Sequence, residues 1–191
     1  PKPTRAEARS RLGLGANEEI ALFFGLIRPY KGLPDLLAAM PAVWQERNVR
    51  LVIAGECYGD LAEIEAQIAA LPHPERVTLH ARYIPNEEVA VYMQAADVVI
   101  APYRHATQSG IVQVAYAFER PVITTRVGGI PEVVWEGETG LLVPPEDREA
   151  LAGAVTRYFG EGLAEALSAG IRRRTPELSW ERLARVVAGK T

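Results

Sequence analysis

Two cations stand three residues apart in Gly25-Leu-Ile-Arg28-Pro-Tyr-Lys31-Gly32, directly after the apolar run Ile20-Ala-Leu-Phe-Phe24. Arginine offers a planar fork of donors and lysine a compact point charge, and both suit phosphate oxygens. Gly25 and Gly32 let backbone come close to a ligand. The alternative for the same residues is a surface turn with two solvated charges; a place at the carboxyl end of a strand in a parallel sheet favours the phosphate reading. The segment is neither a Walker loop, since Gly-Lys-Ser/Thr is absent, nor a Gly-x-Gly-x-x-Gly turn.

Three more segments can carry chemistry. In Ala106-Thr-Gln108-Ser109-Gly110-Ile111, small polar residues lead into an apolar helix. The first N–H groups of such a helix form an anion site, and Ser109 equally serves as an ordinary cap. In Thr124-Thr-Arg-Val-Gly128-Gly129-Ile-Pro131-Glu132, a Gly-Gly turn precedes a proline suited to a helix's first turn. Glu132 there either complements the helix dipole or accepts hydroxyl hydrogen bonds from a sugar. Glu136-Gly-Glu-Thr-Gly140 reads by itself as a turn. His73, His80 and His105 show no metal-ligand spacing, no metal is expected, and Tyr83 and Tyr103 read as packing residues.

These segments need a scaffold. Apolar runs fall at 20–24, 50–54, 77–80, 97–101, 121–124 and 141–143. They are continuous rather than alternating, which marks strands covered on both faces. Helical patterns lie between them: Pro34 to about Gln45, Asp60 to about Ala70, Glu87 to Ala95 with Asn86 as N-cap, and Gln108 or Ser109 to Phe118, apolar nearly all round and so expected to be buried. The alternation predicts an α/β fold, a doubly wound parallel sheet of about six strands, which binds ligands beyond the carboxyl ends of its strands. Thr4 with Glu7 predicts a capping box for a short helix to Leu12. From Glu146 the chain reads as two or three helices, the last over Ser179 to Ala188. Arg172, Arg173 and Arg174 read as a solvated helix face, with a membrane surface or anionic partner as the alternative.

Composition bounds the rest. The 191 residues are one ordinary domain, 48% hydrophobic and 24% charged, a globular profile able to bury roughly 70% of the unfolded surface. No apolar run reaches the ~20 residues of a membrane span, and the polar start does not read as a signal peptide. Net charge −3 argues against a nucleic-acid partner. The single Cys57 excludes an intrachain disulfide and fits a reducing cytoplasm. A start at Pro1 reads as a processed chain or a piece of a larger one.

Taken in order, Gly25…Lys31-Gly32, Leu51-Val-Ile-Ala-Gly55, Tyr83-Ile-Pro-Asn86, Ala96-Asp-Val-Val-Ile-Ala-Pro102, Arg120-Pro-Val-Ile-Thr124, Val127-Gly-Gly-Ile-Pro-Glu132 and Gly137-Glu-Thr-Gly-Leu-Leu-Val-Pro144 resemble the C-terminal half of group 1 (family 4) glycosyltransferases over roughly residues 18–160. The resemblance implies one half of a two-domain GT-B fold: a Rossmann-like domain over 1–191 with a core at about 18–160, a helical segment at about 161–191, and an N-terminal acceptor domain absent from this chain. It implies a nucleotide-sugar donor, transfer with retention, no metal cofactor, a cytoplasmic setting, and peripheral membrane association for the full-length enzyme. Arg28 and Lys31 would stabilise the leaving diphosphate as catalytic cations. Gly25 and the backbone around Ser109, Gly110 and Ile111 would hold the donor, with the base against Tyr83 and Ile84.

The chain departs from that family in two places. Arginine usually follows the first glycine, where this chain has Leu26 and places Arg28 two residues later. The family's Glu-x7-Glu motif falls on Ala106 and Val114, which accept no side-chain hydrogen bond; a branch of the family carries Thr-Gln-Ser-Gly in this region. The expectation is that Gln108, Ser109 and Glu132 take over part of the sugar recognition. Competing readings are a degenerate nucleotide-sugar binding module, which the missing glutamates favour, and another GT-B enzyme such as a sugar-phosphate synthase or epimerase. A receiver-type signalling domain is excluded, because His80, Ala81 and Arg82 stand where it needs a phosphoacceptor aspartate. The isolated domain is expected to be inactive, lacking an acceptor site.

Overall fold

The computed structural model describes residues 2–178. Six strands alternate with helices: α1 (Arg5–Arg11), β1 (Glu19–Phe24), α2 (Leu33–Glu46), β2 (Val49–Ala54), α3 (Leu61–Ala69), β3 (Val77–His80), α4 (Asn86–Ala95), β4 (Val98–Ala101), α5 (Gly110–Ala117), β5 (Val122–Thr125), α6 (Ile130–Val133), β6 (Gly140–Val143), α7 (Arg148–Gly160) and α8 (Ala164–Leu178). The strands form one sheet in the order β3-β2-β1-β4-β5-β6, and every pair is parallel. The order reverses between β1 and β4, so the loops leaving these strands part to opposite sides and open a crevice at their carboxyl ends.

The apolar runs are continuous because each strand face has its own core. Ala21, Phe23, Leu51 and Ile53 pack with Leu36, Met40, Val43 and Val155 of α2 and α7. Ile20, Leu22, Val52 and Val99 pack with Tyr92, Met93, Val112 and Tyr116 of α4 and α5. Successive residues serve opposite layers, as the two-residue repeat of a strand requires. Burying each such side chain stabilises the fold by about 1.5–3 kcal/mol.

The far end of the sheet is locked by a buried arginine. Thr4 and Glu7 form the expected capping box of α1. From that helix Arg9, only 1% exposed, donates to the carbonyls of Ala95, Gly15, Ala16 and Glu18 and to Asp97. Asp97 also accepts from Arg5 and from the N–H of Ile20. This cluster ties α1 to the starts of β1 and β4, away from the crevice.

Two local expectations are corrected. Pro85, not Asn86, is the N-cap of α4 and no side chain caps it; Asn86 is the first helical residue, and Glu87 and Glu88 of the first turn face the dipole. Helix α5 is buried along Val112, Ala115 and Tyr116, while Gln113 and Ala117 are exposed, because it covers a sheet on one side only. Arg172 and Arg173 are exposed, as the reading of a solvated helix face expects, and the run also pairs across the surface: Arg172 with Glu119 and Glu165, Arg173 and Arg174 with Glu138, with Arg174 over Trp135. The helix predicted over Ser179 to Ala188 lies outside the described residues. Among the described residues no helix is long and apolar enough to cross a membrane.

Candidate nucleotide-sugar site

The crevice is built by loops that touch through glycines. At Gly55, φ is +154° and a Cβ would stand 1.9 Å from the carbonyl oxygen of Gly25. Gly32 has φ +72°, and its Cβ would stand 1.9 Å from the carbonyl oxygen of Pro102. Only glycine lets the loop after β1 lie this close to the loops after β2 and β4. The Gly-Gly pair braces the same region: the N–H of Gly129 donates to the Thr107 carbonyl at 3.0 Å, and a Cβ on Gly128 would meet the Ala106 carbonyl oxygen at 1.8 Å.

Lys31 ends the 3-10 turn Pro29–Lys31 and reaches inward. Its ammonium donates to the Tyr103 hydroxyl at 3.3 Å and lies 4.7 Å from the centre of that ring. Burial, reinforced by the positive charge of Arg28, pushes its pKa below the ordinary lysine value. No carboxylate among the described residues pairs with it, although most arginines of the chain are paired.

Tyr103 is 3% exposed, and burial pushes its phenol pKa up. Its hydroxyl is 2.9 Å from that of Ser109, and the Thr125 hydroxyl holds its carbonyl. Ser109 is the N-cap of α5, accepting from the N–H of Val112 at 3.2 Å. The N–H groups of Gly110 and Ile111 are left without an acceptor among the described residues. A half-buried ammonium and the free N–H groups of a helix start therefore share one cleft, which suits an anion.

The cleft holds about 290 Å³ and is lined by Gly25, Lys31, Tyr83, Ile84, Gly110 and Ile111, together with Phe24, Leu26, Gly55 and Glu56. Six residues singled out in the sequence thus meet here, with Ser109 directly behind them. Three others do not line it. Arg28, expected beside Lys31 on one diphosphate, lines a neighbouring cleft and stacks on Tyr58. Gln108 and Glu132 are exposed and make no side-chain hydrogen bond with the described residues. Tyr83, expected to pack, is 64% exposed on the cleft wall. Ala106 and Val114 pack on the apolar layer beside α5.

Sequence reading missed Tyr103 and Glu56. A buried tyrosine needs a partner for its hydroxyl, so Ser109 six residues on was the available signal for Tyr103. Glu56 is the one carboxylate lining the cleft and accepts from the Tyr58 hydroxyl at 3.2 Å. No group of three or more His, Cys, Asp or Glu able to hold a metal occurs among the described residues.

Residues 18–161 match the profile described as Glycosyl transferases group 1. The chain belongs to this family. It is 36% identical over 179 residues to a D-inositol 3-phosphate glycosyltransferase of Corynebacterium glutamicum, a match over 84% of this chain and 40% of that protein. Among solved structures, the sucrose-phosphate synthase of Thermosynechococcus elongatus is 34% identical with a TM-score of 0.83, over 96% of this chain and 47% of that one. The HepE protein of Anabaena, in complex with UDP and glucose, shares the fold at 19% identity and a TM-score of 0.81, over 96% of this chain and 51% of its own. This group 1 chain spans less than half of the curated relative it matches.

Proposed function

We propose that this chain is the C-terminal, donor-binding domain of a retaining GT-B glycosyltransferase, taking a nucleoside diphosphate sugar and using no metal for the diphosphate. One observation carries the reading: Lys31, half-buried and without a carboxylate partner among the described residues, shares a cleft with the free N–H groups of Gly110 and Ile111. An ammonium kept out of water and unpaired is costly unless an anion arrives, and a fixed cation stabilises charge growing on a leaving diphosphate.

In this reading the diphosphate lies between Lys31 and the start of α5, with Ser109 setting the helix end. The base lies against Tyr83 and Ile84, and Glu56 accepts hydroxyl hydrogen bonds that neither Ala106 nor Val114 accepts. Gln108 and Glu132 flank the Thr107–Gly129 contact and meet the donor sugar. The names of two relatives more than 30% identical, a D-inositol 3-phosphate glycosyltransferase and a sucrose-phosphate synthase, point to a phosphate borne on a polyol, so transfer to a sugar or cyclitol phosphate is the reaction class. The acceptor's main site belongs to the other half of the enzyme, in a reducing cytoplasm where Cys57 stays free. The degenerate binding-module reading draws on Ala106 and Val114.

Calorimetry with UDP, GDP and ADP in chelator tests the site. Binding of one diphosphate, weakened at least about tenfold by Lys31→Ala, is expected from a lost charge-assisted contact. Equal binding of the uncharged nucleoside, or an absolute need for a divalent ion, would refute it.

A further inference from the structure

Helix α5 is held at both ends by a tyrosine hydroxyl. At its start, Ser109 stands against Tyr103. At its end, the hydroxyl of the buried Tyr116 stands 2.7 Å from that of Thr139. Thr139 is fully enclosed, and its hydroxyl also accepts from the N–H of Trp135 at 3.0 Å. Burial pushes the Tyr116 phenol pKa up, so this hydroxyl keeps its proton. The other polar side chain of the helix, Gln113, is exposed.

The turn that carries Thr139 has no room to move. The N–H groups of Glu138 and Thr139 donate to the Trp135 carbonyl at 3.0 and 2.9 Å. On one side, a Cβ at Gly140 would meet the Val122 carbonyl oxygen at 2.3 Å, so the turn lies directly on β5. On the other, a Cβ at Gly170 would stand 1.8 Å from the Glu138 carbonyl oxygen, so α8 closes over the turn. Arg174 of α8 adds a hydrogen bond to Glu138 and a stack on Trp135.

We propose that Thr139 is a positioning residue for the diphosphate site: through Tyr116 it sets how far α5 reaches into the crevice, and with it the places of the Gly110 and Ile111 N–H groups. The inference rests on the donor reading for the identity of the ligand. Val112 and Ala115 hold α5 to the sheet by apolar burial, which is non-directional and leaves the helix free to slide or turn. A hydrogen bond weakens steeply with distance and angle, so the Tyr116–Thr139 pair stops α5 along its axis. Eight residues make a rod of about 12 Å, and a shift at one end reaches the other. Bonds from N–H groups to phosphate oxygens span a range of only about 0.5 Å, so donors displaced by more than that lose them.

The test compares Thr139→Val, Thr139→Ser and Tyr116→Phe with the unaltered chain by NMR, thermal denaturation and calorimetry with UDP. Valine keeps the shape of threonine and phenylalanine keeps the ring, and each removes one hydroxyl. Both changes are expected to shift the amide signals of Gly110 and Ile111 and to weaken UDP about three- to tenfold. Together they are expected to cost no more affinity than the larger single change, because both break one pair. Thr139→Ser keeps the hydroxyl and is expected to hold both signals and bring UDP affinity within about twofold of the unaltered chain. Val155→Ala, in the opposite apolar layer, is expected to lower Tm with signals and affinity unchanged. The positioning role is overturned if Thr139→Val and Tyr116→Phe lower Tm yet leave the two amides in place. It is equally overturned if serine restores nothing that valine lost, or if Val155→Ala moves the same signals. Failure of UDP to bind the unaltered chain sinks the donor reading alone, and the amide signals still decide this one.

Discussion

The hydroxyls of Tyr103 and Ser109 stand 2.9 Å apart inside the fold, and this contact joins the two halves of the proposed anion site. On one side Tyr103 receives the Lys31 ammonium; on the other Ser109 fixes the start of α5. Tyr103→Phe keeps the ring over which Lys31 lies and removes only the shared oxygen. The loss should cost about 1 kcal/mol in chemical denaturation and weaken nucleoside diphosphate binding about three- to tenfold. Unchanged affinity with the same loss of stability would make Tyr103 structural only.

Gly32 and Gly137 share a φ of +72°, but only Gly32 has a neighbour where a Cβ would go. Gly137→Ala carries backbone strain alone, about 1 kcal/mol. Gly32→Ala adds a collision with the Pro102 carbonyl and should cost well above 2 kcal/mol. Melting temperatures of the pair check this. Gly32→Ala should also lose nucleotide affinity, because the strike falls between the two loops that carry Lys31 and Tyr103.

The depressed pKa of Lys31 gives stability and binding opposite pH dependence. Burial disfavours its charge, so in the window between its lowered folded value and the ordinary lysine value the unfolded chain holds more protons, and stability rises with pH. Nucleotide affinity falls over the same window as the ammonium is lost. The difference between the chain and Lys31→Met, followed by denaturation and by calorimetry on the alkaline side, should show both slopes; two slopes of the same sign would be incompatible with this site.

Arg9 offers the complementary case of a charged residue that does not line the proposed cleft. It is enclosed by four carbonyls and Asp97 at the opposite end of the sheet. Arg9→Met removes the donor these carbonyls share, while Asp97 keeps Arg5 and the Ile20 N–H, and should destabilise the fold by about 3–5 kcal/mol. Under conditions where the variant remains folded, diphosphate affinity should match that of the unaltered chain. A matching loss of affinity would mean that the rear cluster controls the crevice.

The sequence by itself determined the layers and the loops. Continuous apolar runs such as Leu51–Ala54, short and closed by a glycine, read as strands covered on both faces, and the turn residues between them fall where strands and helices exchange. Gly25, Lys31, Ser109 and Gly110 were legible for the same reason: they follow strands, and ligands of a parallel sheet lie at strand carboxyl ends. Side-chain direction was not legible, because it depends on loops that meet only after folding. Arg28 and Lys31 are three residues apart, yet the 3-10 turn between them sends Lys31 to Tyr103 and leaves Arg28 on Tyr58. Tyr103 read as packing because its partners, Lys31 and Ser109, come from two different loops. The ion pairs of the arginines at 172–174 were not legible because Glu119 and Glu138 lie far away along the chain. Local periodicity records which face of an element is apolar; it carries no record of what distant segment the polar face meets, and that was decided by the order in which the sheet assembles its strands.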